Sequence, residues 1–261
     1  MKSINMKYLA GGPIERVKPL PPYDEKICTF LAELSKKLQK DRRAMAYPDV
    51  LSFAFFCRKA NIAKLKAEFE DGNTRLGRGL AFHIAPSNVP VNAAFTYVFG
   101  LLAGNANVVR VSSKDFEQVR IICDVIQTMF DSGNYDEIHD MTAFVSYGRS
   151  QEINDELSLM ANARIIWGGD ATIAEIRKSP IGSRCTELTF ADRYSFGILN
   201  PMKIADDSEE EVKRLAEQFY NDTYLMDQNA CSTPHLILWK SDKSSKAEEG
   251  KILECGIQRS R

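Results

Sequence analysis

The stretch from residue 79 to residue 113 restricts the fold more than any other part of the chain. Leu80-Ala81-Phe82-His83-Ile84 is a short apolar run, closed by the turn Ala85-Pro86-Ser87-Asn88-Val89-Pro90. Residues 91–103 are apolar on nearly every side, long enough for a buried helix. Gly104-Asn105 then supplies a C-cap signal, because both residue types accept the left-handed conformation. Residues 107–111 are a β-branched strand. Strand, helix and strand in this order make one βαβ unit, and such units build parallel sheets that bind ligands at the carboxyl ends of their strands. A polar turn between two prolines at such an end is a candidate site. An ordinary sheet crossover fits the same pattern equally well.

The alternation continues downstream. Residues 116–130 carry an amphipathic helical stripe through Val119, Ile122, Cys123, Val125, Ile126 and Met129. Residues 141–146 read as a strand before Gly148, residues 152–160 as a helix, and residues 164–167 as a strand stopping at Gly168-Gly169-Asp170. Residues 171–178 follow as a helix. Alternating strands and helices joined by short glycine turns predict a doubly wound parallel sheet. Beyond Pro180, strands are expected at 185–190, 194–199 and 235–239. A capping box, Ser208-Glu209-Glu210-Glu211, opens a helix running to about Tyr220. Ahead of the sheet, residues 1–22 read as a Pro- and Gly-punctuated lead-in, and residues 23–71 as helical. The expected organisation is an N-terminal helical region at 1–74, a Rossmann-like domain at 75–200, and the start of a further domain at 201–261.

The 261 residues suffice for one large or two modest cores. Lysine and arginine number 34 against 35 acidic residues, so no global field attracts nucleic acid or an anionic membrane, and an anionic ligand must be held locally. The N-terminus lacks the apolar core of a signal peptide, and the longest apolar run is too short to span a bilayer. The six cysteines (Cys28, Cys57, Cys123, Cys185, Cys231, Cys255) show no C-x-x-C pairing, which argues against zinc and against a disulfide framework. A cytoplasmic protein with free thiols is expected.

The chain has no G-x-G-x-x-G, P-loop or H-E-x-x-H, so chemistry must be sought elsewhere. Cys28, Cys57 and Cys123 sit in apolar stripes and read as core; Cys185 is ambiguous. Cys231 differs. It lies in Asp227-Gln228-Asn229-Ala230-Cys231-Ser232-Thr233-Pro234, a small-residue polar loop leading into a strand, where reactive groups are commonly presented.

Taken in order, these motifs resemble the aldehyde dehydrogenase superfamily. Pro86-Ser87-Asn88-Val89-Pro90, Ala103-Gly104-Asn105 and Val108-Val109-Arg110-Val111-Ser112-Ser113 match its cofactor-domain opening. Ile166-Trp167-Gly168-Gly169 matches its nicotinamide-side turn, Thr186-Glu187-Leu188 its Glu-Leu-Gly-Gly motif, and Gln228-Asn229-Ala230-Cys231 its nucleophile loop. Within the superfamily the chain is most similar to the acyl-CoA reductase branch, the fatty-acyl reductases of bacterial luminescence and their relatives. The stretches carrying that likeness are Ala163 to Asp170, Ile176-Arg177 and Asp227 to Ser232.

The resemblance implies an aldehyde dehydrogenase-like α/β fold and a cysteine acyl-enzyme. Cys231 would attack the carbonyl of a fatty acyl-CoA or acyl-protein thioester. Asn88 would donate its amide to the oxyanion, with the Cys231 backbone N–H as second donor. After the carrier thiol leaves, hydride from a nicotinamide would give the aldehyde. Glu187 would be the family's carboxylate base, although Thr189-Phe190 replace the two glycines and thioester reduction needs no attack by water. The dinucleotide would lie along Ala85, Pro86, Ser87, Arg110, Ser112, Ser113, Lys114, Gly148, Trp167, Gly168 and Gly169. Family members preferring NAD often carry Glu just after the serine of the second strand; here that position is Ser113, flanked by Arg110 and Lys114. Two cations and no acid there predict NADPH over NADH. The resemblance further implies homo-oligomers, an acyl-protein synthetase partner, and a catalytic domain cut short after the strand at 235–239. Two other functions stay open: a non-catalytic nucleotide-binding fragment, and an aldehyde dehydrogenase oxidising free aldehydes.

Overall fold

Residue 104 turns the chain from helix to strand in the left-handed region, at φ 79°, where only glycine is unstrained. This computed structural model describes residues 6–224 and 232–240. The turn closes the βαβ unit expected at 79–113. Strand β2 (Leu80–Ile84) leads through the proline-bracketed loop into helix α4 (Asn92–Leu102), and the chain returns as β3 (Ala106–Arg110). A Cβ on Gly104 would stand 1.9 Å from the Leu20 carbonyl oxygen. That tight spot is a junction: Leu20 N–H donates to Gly104 O at 2.9 Å, and Gly77 N–H donates to Leu20 O at 2.9 Å. Asn105 completes it. Its Oδ1 accepts from the N–H groups of Arg78 (2.7 Å) and Gly79 (3.2 Å), holding the approach to β2 against the approach to β3.

The chain forms two compact units, divided after Ala191. In the first, the sheet order is β1-β4-β3-β2-β5-β6, with β1 (Lys7–Gly11), β4 (Thr142–Ser146), β5 (Ala163–Trp167) and β6 (Thr186–Phe190). Every pairing from β4 to β6 is parallel; β1 adds antiparallel to β4 at the edge. Residues 7–11, expected to be irregular lead-in, are therefore a strand. Gly11-Gly12-Pro13 behind it masked a short Tyr-Leu-Ala run too brief for an alternation signal. The parallel part has the doubly wound order, with its reversal between β2 and β5.

The two faces of the sheet are covered separately. Helices α1 (Glu25–Lys40), α2 (Pro48–Phe56), α3 (Lys59–Phe69), α4 and α5 (Glu117–Phe130) share one core with Val109 and Phe144. A short turn of helix, α6 (Asp136–His139), adds Ile138 to it. On the other face, α7 (Gln151–Met160) and α8 (Asp170–Ile176) pack Ile153, Leu157, Ile173 and Ile176 on Phe82, Val108, Val145 and Ile166. All five residues of β2 are buried, as expected of a central parallel strand covered on both sides. Tyr97 and Leu101 of α4 are wholly buried, so enclosure explains most of the apolar composition of residues 91–103, with Phe99 left exposed.

The second face also encloses a charge. The Arg164 side chain is 2% exposed and is bonded on all sides. Its Nη1 donates to Ser158 Oγ (3.1 Å) and Ser179 O (2.9 Å), and its Nε to Glu187 Oε2 (2.8 Å). Glu187 Oε1 accepts from Arg177 Nε at 2.7 Å. Burial pushes the Glu187 carboxyl up, but the hydrogen bonds from Arg177 and Arg164 outweigh it and hold the group below its usual range.

The second unit contains β7 (Ser195–Leu199), α9 (Pro201–Asp206), α10 (Glu209–Tyr224) and β8 (Pro234–Trp239), with β7 and β8 parallel. The predicted capping box is formed: Ser208 N–H donates to Glu211 Oε2 at 2.8 Å, and Glu211 N–H donates to Ser208 Oγ at 3.4 Å. Among the described residues no helix is long and apolar enough to cross a membrane.

Two substitutions test this architecture. Gly104→Ala must strain φ and displace Leu20, and is expected to cost about 2–3 kcal/mol, lowering Tm by about 5–10 °C. Glu187→Ala leaves Arg164 buried without its counter-charge, at a cost of about 3–5 kcal/mol. Because the folded pKa of Glu187 is depressed, its contribution is present above the unfolded value of about 4.3 and is lost as pH falls through the folded value. The Tm gap between wild type and Glu187→Ala, measured by calorimetry, should be widest near neutrality and close below about pH 4; a gap that stays constant with pH would refute the ion-pair account.

Candidate functional site

The strand order reverses between β2 and β5, whose carboxyl ends are where doubly wound sheets form their ligand crevice, and several residues singled out from the sequence lie at those ends and at the neighbouring ends of β3 and β4. Ile84, at the end of β2, pairs with Arg110 on one side and Ile166 on the other. The loop after β2 carries Ala85 and Pro86, half-buried, then Ser87 and Asn88, exposed. Ala85 N–H extends the ladder by donating to Arg110 O at 3.0 Å. The turn after β5 carries Trp167, Gly168 and Gly169, all half-buried. One strand further out, Arg110 ends β3, followed by Ser112, Ser113 and Lys114; Ser112 Oγ accepts from Lys114 N–H at 3.1 Å and folds this turn. Gly148 follows β4 with open space where a Cβ would stand.

Trp167 is fixed from beneath by a polar chain that the sequence pattern does not announce. His83, in the middle of β2, is fully enclosed. Its Nε2 lies 3.0 Å from Asn107 Oδ1, and its Nδ1 lies 2.7 Å from Thr96 Oγ1. Asn107 spends its Nδ2 on Asn105 O (2.7 Å), so its Oδ1 faces the imidazole, which assigns the proton to Nε2. Thr96 then donates to Nδ1 and accepts from Trp167 Nε1–H at 3.2 Å. Burial pushes the His83 pKa down to about 4, against the hydrogen bond to Asn107, so the ring is neutral across the physiological range. Gly100 makes room: a Cβ there would stand 1.8 Å from Asn107 Oδ1. The indole of Trp167 stacks on Phe190 with centroids 3.8 Å apart and planes at 7°. The sequence signs of this polar chain are single polar residues in apolar elements, His83 in β2, Thr96 in α4 and Asn107 in β3; each alone reads as incidental.

The cations separate by environment. The Arg110 guanidinium lies over the Tyr147 ring at 4.6 Å, while Lys114 is exposed. Glu187 lies opposite Arg164, three residues before Trp167 on β5, hence about 10 Å back from the carboxyl edge. Both of its oxygens are engaged by Arg164 and Arg177. The pull of those guanidiniums makes it a weaker base than a free carboxylate. Cys57 and Cys123 are buried, Cys28 and Cys185 half-buried, and burial raises all four thiols, Cys57 to about 12. These are unreactive environments for a thiol. Cys231 lies outside the described residues.

The strand-order reversal is where doubly wound sheets bind dinucleotides, and the Arg110 cation stands beside it at the end of β3. Among the described residues no group of three or more His, Cys, Asp or Glu is disposed to hold a metal.

Comparison with known proteins agrees with this geometry. The chain is 16% identical to betaine aldehyde dehydrogenase from Staphylococcus aureus, with a TM-score of 0.62 over 90% of this chain and 48% of that one. It is 13% identical to a lactaldehyde dehydrogenase, with a TM-score of 0.65 over 92% of this chain and 51% of that one. An NADP-dependent glyceraldehyde-3-phosphate dehydrogenase from Bacillus halodurans, solved with NADP, gives 16% identity and 0.59 over 90% and 52%. The fold is therefore aldehyde dehydrogenase-like. A long-chain acyl-protein thioester reductase from Vibrio harveyi is 25% identical over 173 residues, 64% of this chain and 33% of that protein. The chain thus spans about a third of this relative and about half of the solved structures. The acyl-CoA reductase (LuxC) family model matches residues 7–255. With a match across nearly the whole chain and the superfamily's fold, the chain belongs to the acyl-CoA reductase (LuxC) family.

Proposed function

We propose that this chain forms the cofactor half and nucleophile loop of a reductase that converts a long-chain fatty acyl thioester to the aldehyde with NADPH. The observation that supports this most is the family match, which runs unbroken from the sheet through the Gln228-Asn229-Ala230-Cys231 loop. The relative from Vibrio harveyi is named for acyl-protein thioester reduction, which fits an acyl-CoA or acyl-protein substrate.

In this reading the Cys231 thiolate attacks the thioester carbonyl, a carbon–sulfur bond to Cys231 forms, the bond to the carrier sulfur breaks, and the carrier leaves as its thiolate. The Asn88 amide, exposed on the loop after β2, donates to the oxyanion as charge develops. A reduced nicotinamide dinucleotide, when bound, would supply the hydride, and loss of the Cys231 thiolate from the reduced acyl-enzyme would release the aldehyde. Trp167 and the two glycines behind it would wall the nicotinamide side of the crevice, and Arg110 with Lys114 would hold the adenosine phosphate. Glu187 needs no part, since no water attacks in thioester reduction, and its ion pairs support a structural role. A synthetase partner that loads the acyl group, a homo-oligomer and a cytoplasmic location belong to the same proposal.

Incubation with a long-chain acyl-CoA should add the mass of one acyl group to the peptide containing Cys231, released by hydroxylamine and absent in Cys231→Ala. Nucleotide binding without this adduct would instead support a non-catalytic fragment. Calorimetric titration should give tighter binding of NADPH than of NADH, and Arg110→Met should weaken NADPH by about tenfold while leaving NADH within about twofold; equal affinity for both dinucleotides in the wild type would refute the cofactor assignment.

A further inference from the structure

Arg110 has a neighbour whose placement bears on cofactor choice. Arg110 ends β3, with Cα partners Ile84 on β2 and Val145 on β4, so it stands within the carboxyl edge of the sheet rather than at its rim. Among the described residues no carboxylate forms an ion pair with it, and its guanidinium makes no hydrogen bond to another side chain. Its guanidinium lies over the Tyr147 ring, at 4.6 Å. That contact acts through the quadrupole of the ring and leaves the N–H donors available to an anion.

Tyr147 is itself held at both ends. It follows β4 directly, is 5% exposed, and packs in the same core as Val145 and Ile153. Its hydroxyl donates to Asn154 Oδ1 on α7 at 2.9 Å, and Asn154 is 8% exposed. Burial raises the phenol well above its usual range, so the hydroxyl keeps its proton and the hydrogen bond keeps its direction. Next to it, Gly148 leaves open space, so a ligand phosphate meets no side chain at that point. An arginine side chain otherwise samples many rotamers, and binding a phosphate costs the entropy of ordering it.

We propose that Tyr147, anchored by Asn154, is a positioning residue that pre-orients the Arg110 guanidinium for the 2′-phosphate of NADPH and thereby sets the selectivity between the two dinucleotides. The proposal rests on the cofactor reading above and adds to it the residue pair that makes the cation selective. Tyr147 touches Arg110, not the cofactor. Loss of the ring must therefore act on the 2′-phosphate alone, whereas general damage to the fold would weaken every nucleotide alike.

The probes are adenosine 2′,5′-bisphosphate and 5′-AMP, titrated calorimetrically into the whole chain. Wild type should prefer the bisphosphate. Tyr147→Leu should reduce that preference by about fivefold with the 5′-AMP affinity changed less than twofold, and Tyr147→Phe, which keeps the packed ring face and loses only the bond to Asn154, should lose less than twofold of the preference. If Tyr147→Leu does not fold, Tyr147→Met tests the same loss of the ring face. An unchanged preference in the Leu or Met variant would overturn the role of Tyr147 while leaving NADPH selectivity standing. A wild type with no preference for the bisphosphate would overturn the cofactor reading and this proposal together.

Discussion

The structure depends first on the Gly104–Asn105 turn. A parallel sheet requires each helix to end sharply enough for the next strand to start beside the last. Here that end is also where two other segments converge. The Leu20 carbonyl occupies the space a side chain would take at residue 104, and Asn105 holds the backbone of Arg78 and Gly79. The turn therefore locks α4 under the sheet, aligns the start of β2 with that of β3, and ties the N-terminal segment to both. It lies at the amino-terminal end of the strands, opposite the crevice, and its rigidity sets the register of Ile84 with Arg110 at the far end. Stability is concentrated at one edge of the sheet, while the other carries the open loops.

Polar groups inside this sheet are arranged as complete chains. His83 would be costly in the central strand if either nitrogen lacked a partner. Thr96 and Asn107 satisfy both, and Thr96 passes the order on to Trp167 at the crevice. Arg164 and Glu187 do the equivalent on the opposite face, where a buried cation is tolerated because a carboxylate and backbone carbonyls surround it. One chain ends at the candidate site and the other does not. That difference separates Trp167, whose indole is held at the candidate site, from Glu187, whose charge is already used by the fold.

Much of this was legible in the sequence. The alternation of apolar strands and helices between residues 79 and 178 predicted the doubly wound sheet because parallel strands are buried on both faces and their helices on one. The Ser208 capping box and the Gly104-Asn105 stop are local motifs whose geometry is complete within a few residues. What escaped were features made by distant partners. Residues 7–11 became a strand because β4 offered an open edge, which no periodicity in five residues can signal. Glu187 read as a base from its family motif, and only the approach of Arg164 on β5 and Arg177 beyond α8 revealed its ion pairs.

The sequence by itself determined the family, the strand–helix order and the small set of loops where chemistry can sit, since these follow from residue types at short spacing. Tertiary structure decided which of those residues have neighbours that change their behaviour. Arg110 and Tyr147 are 37 positions apart, and His83 and Asn107 are 24 apart. Adjacent parallel strands bring each pair into contact, because strand register, and not separation along the chain, sets which side chains meet across the sheet.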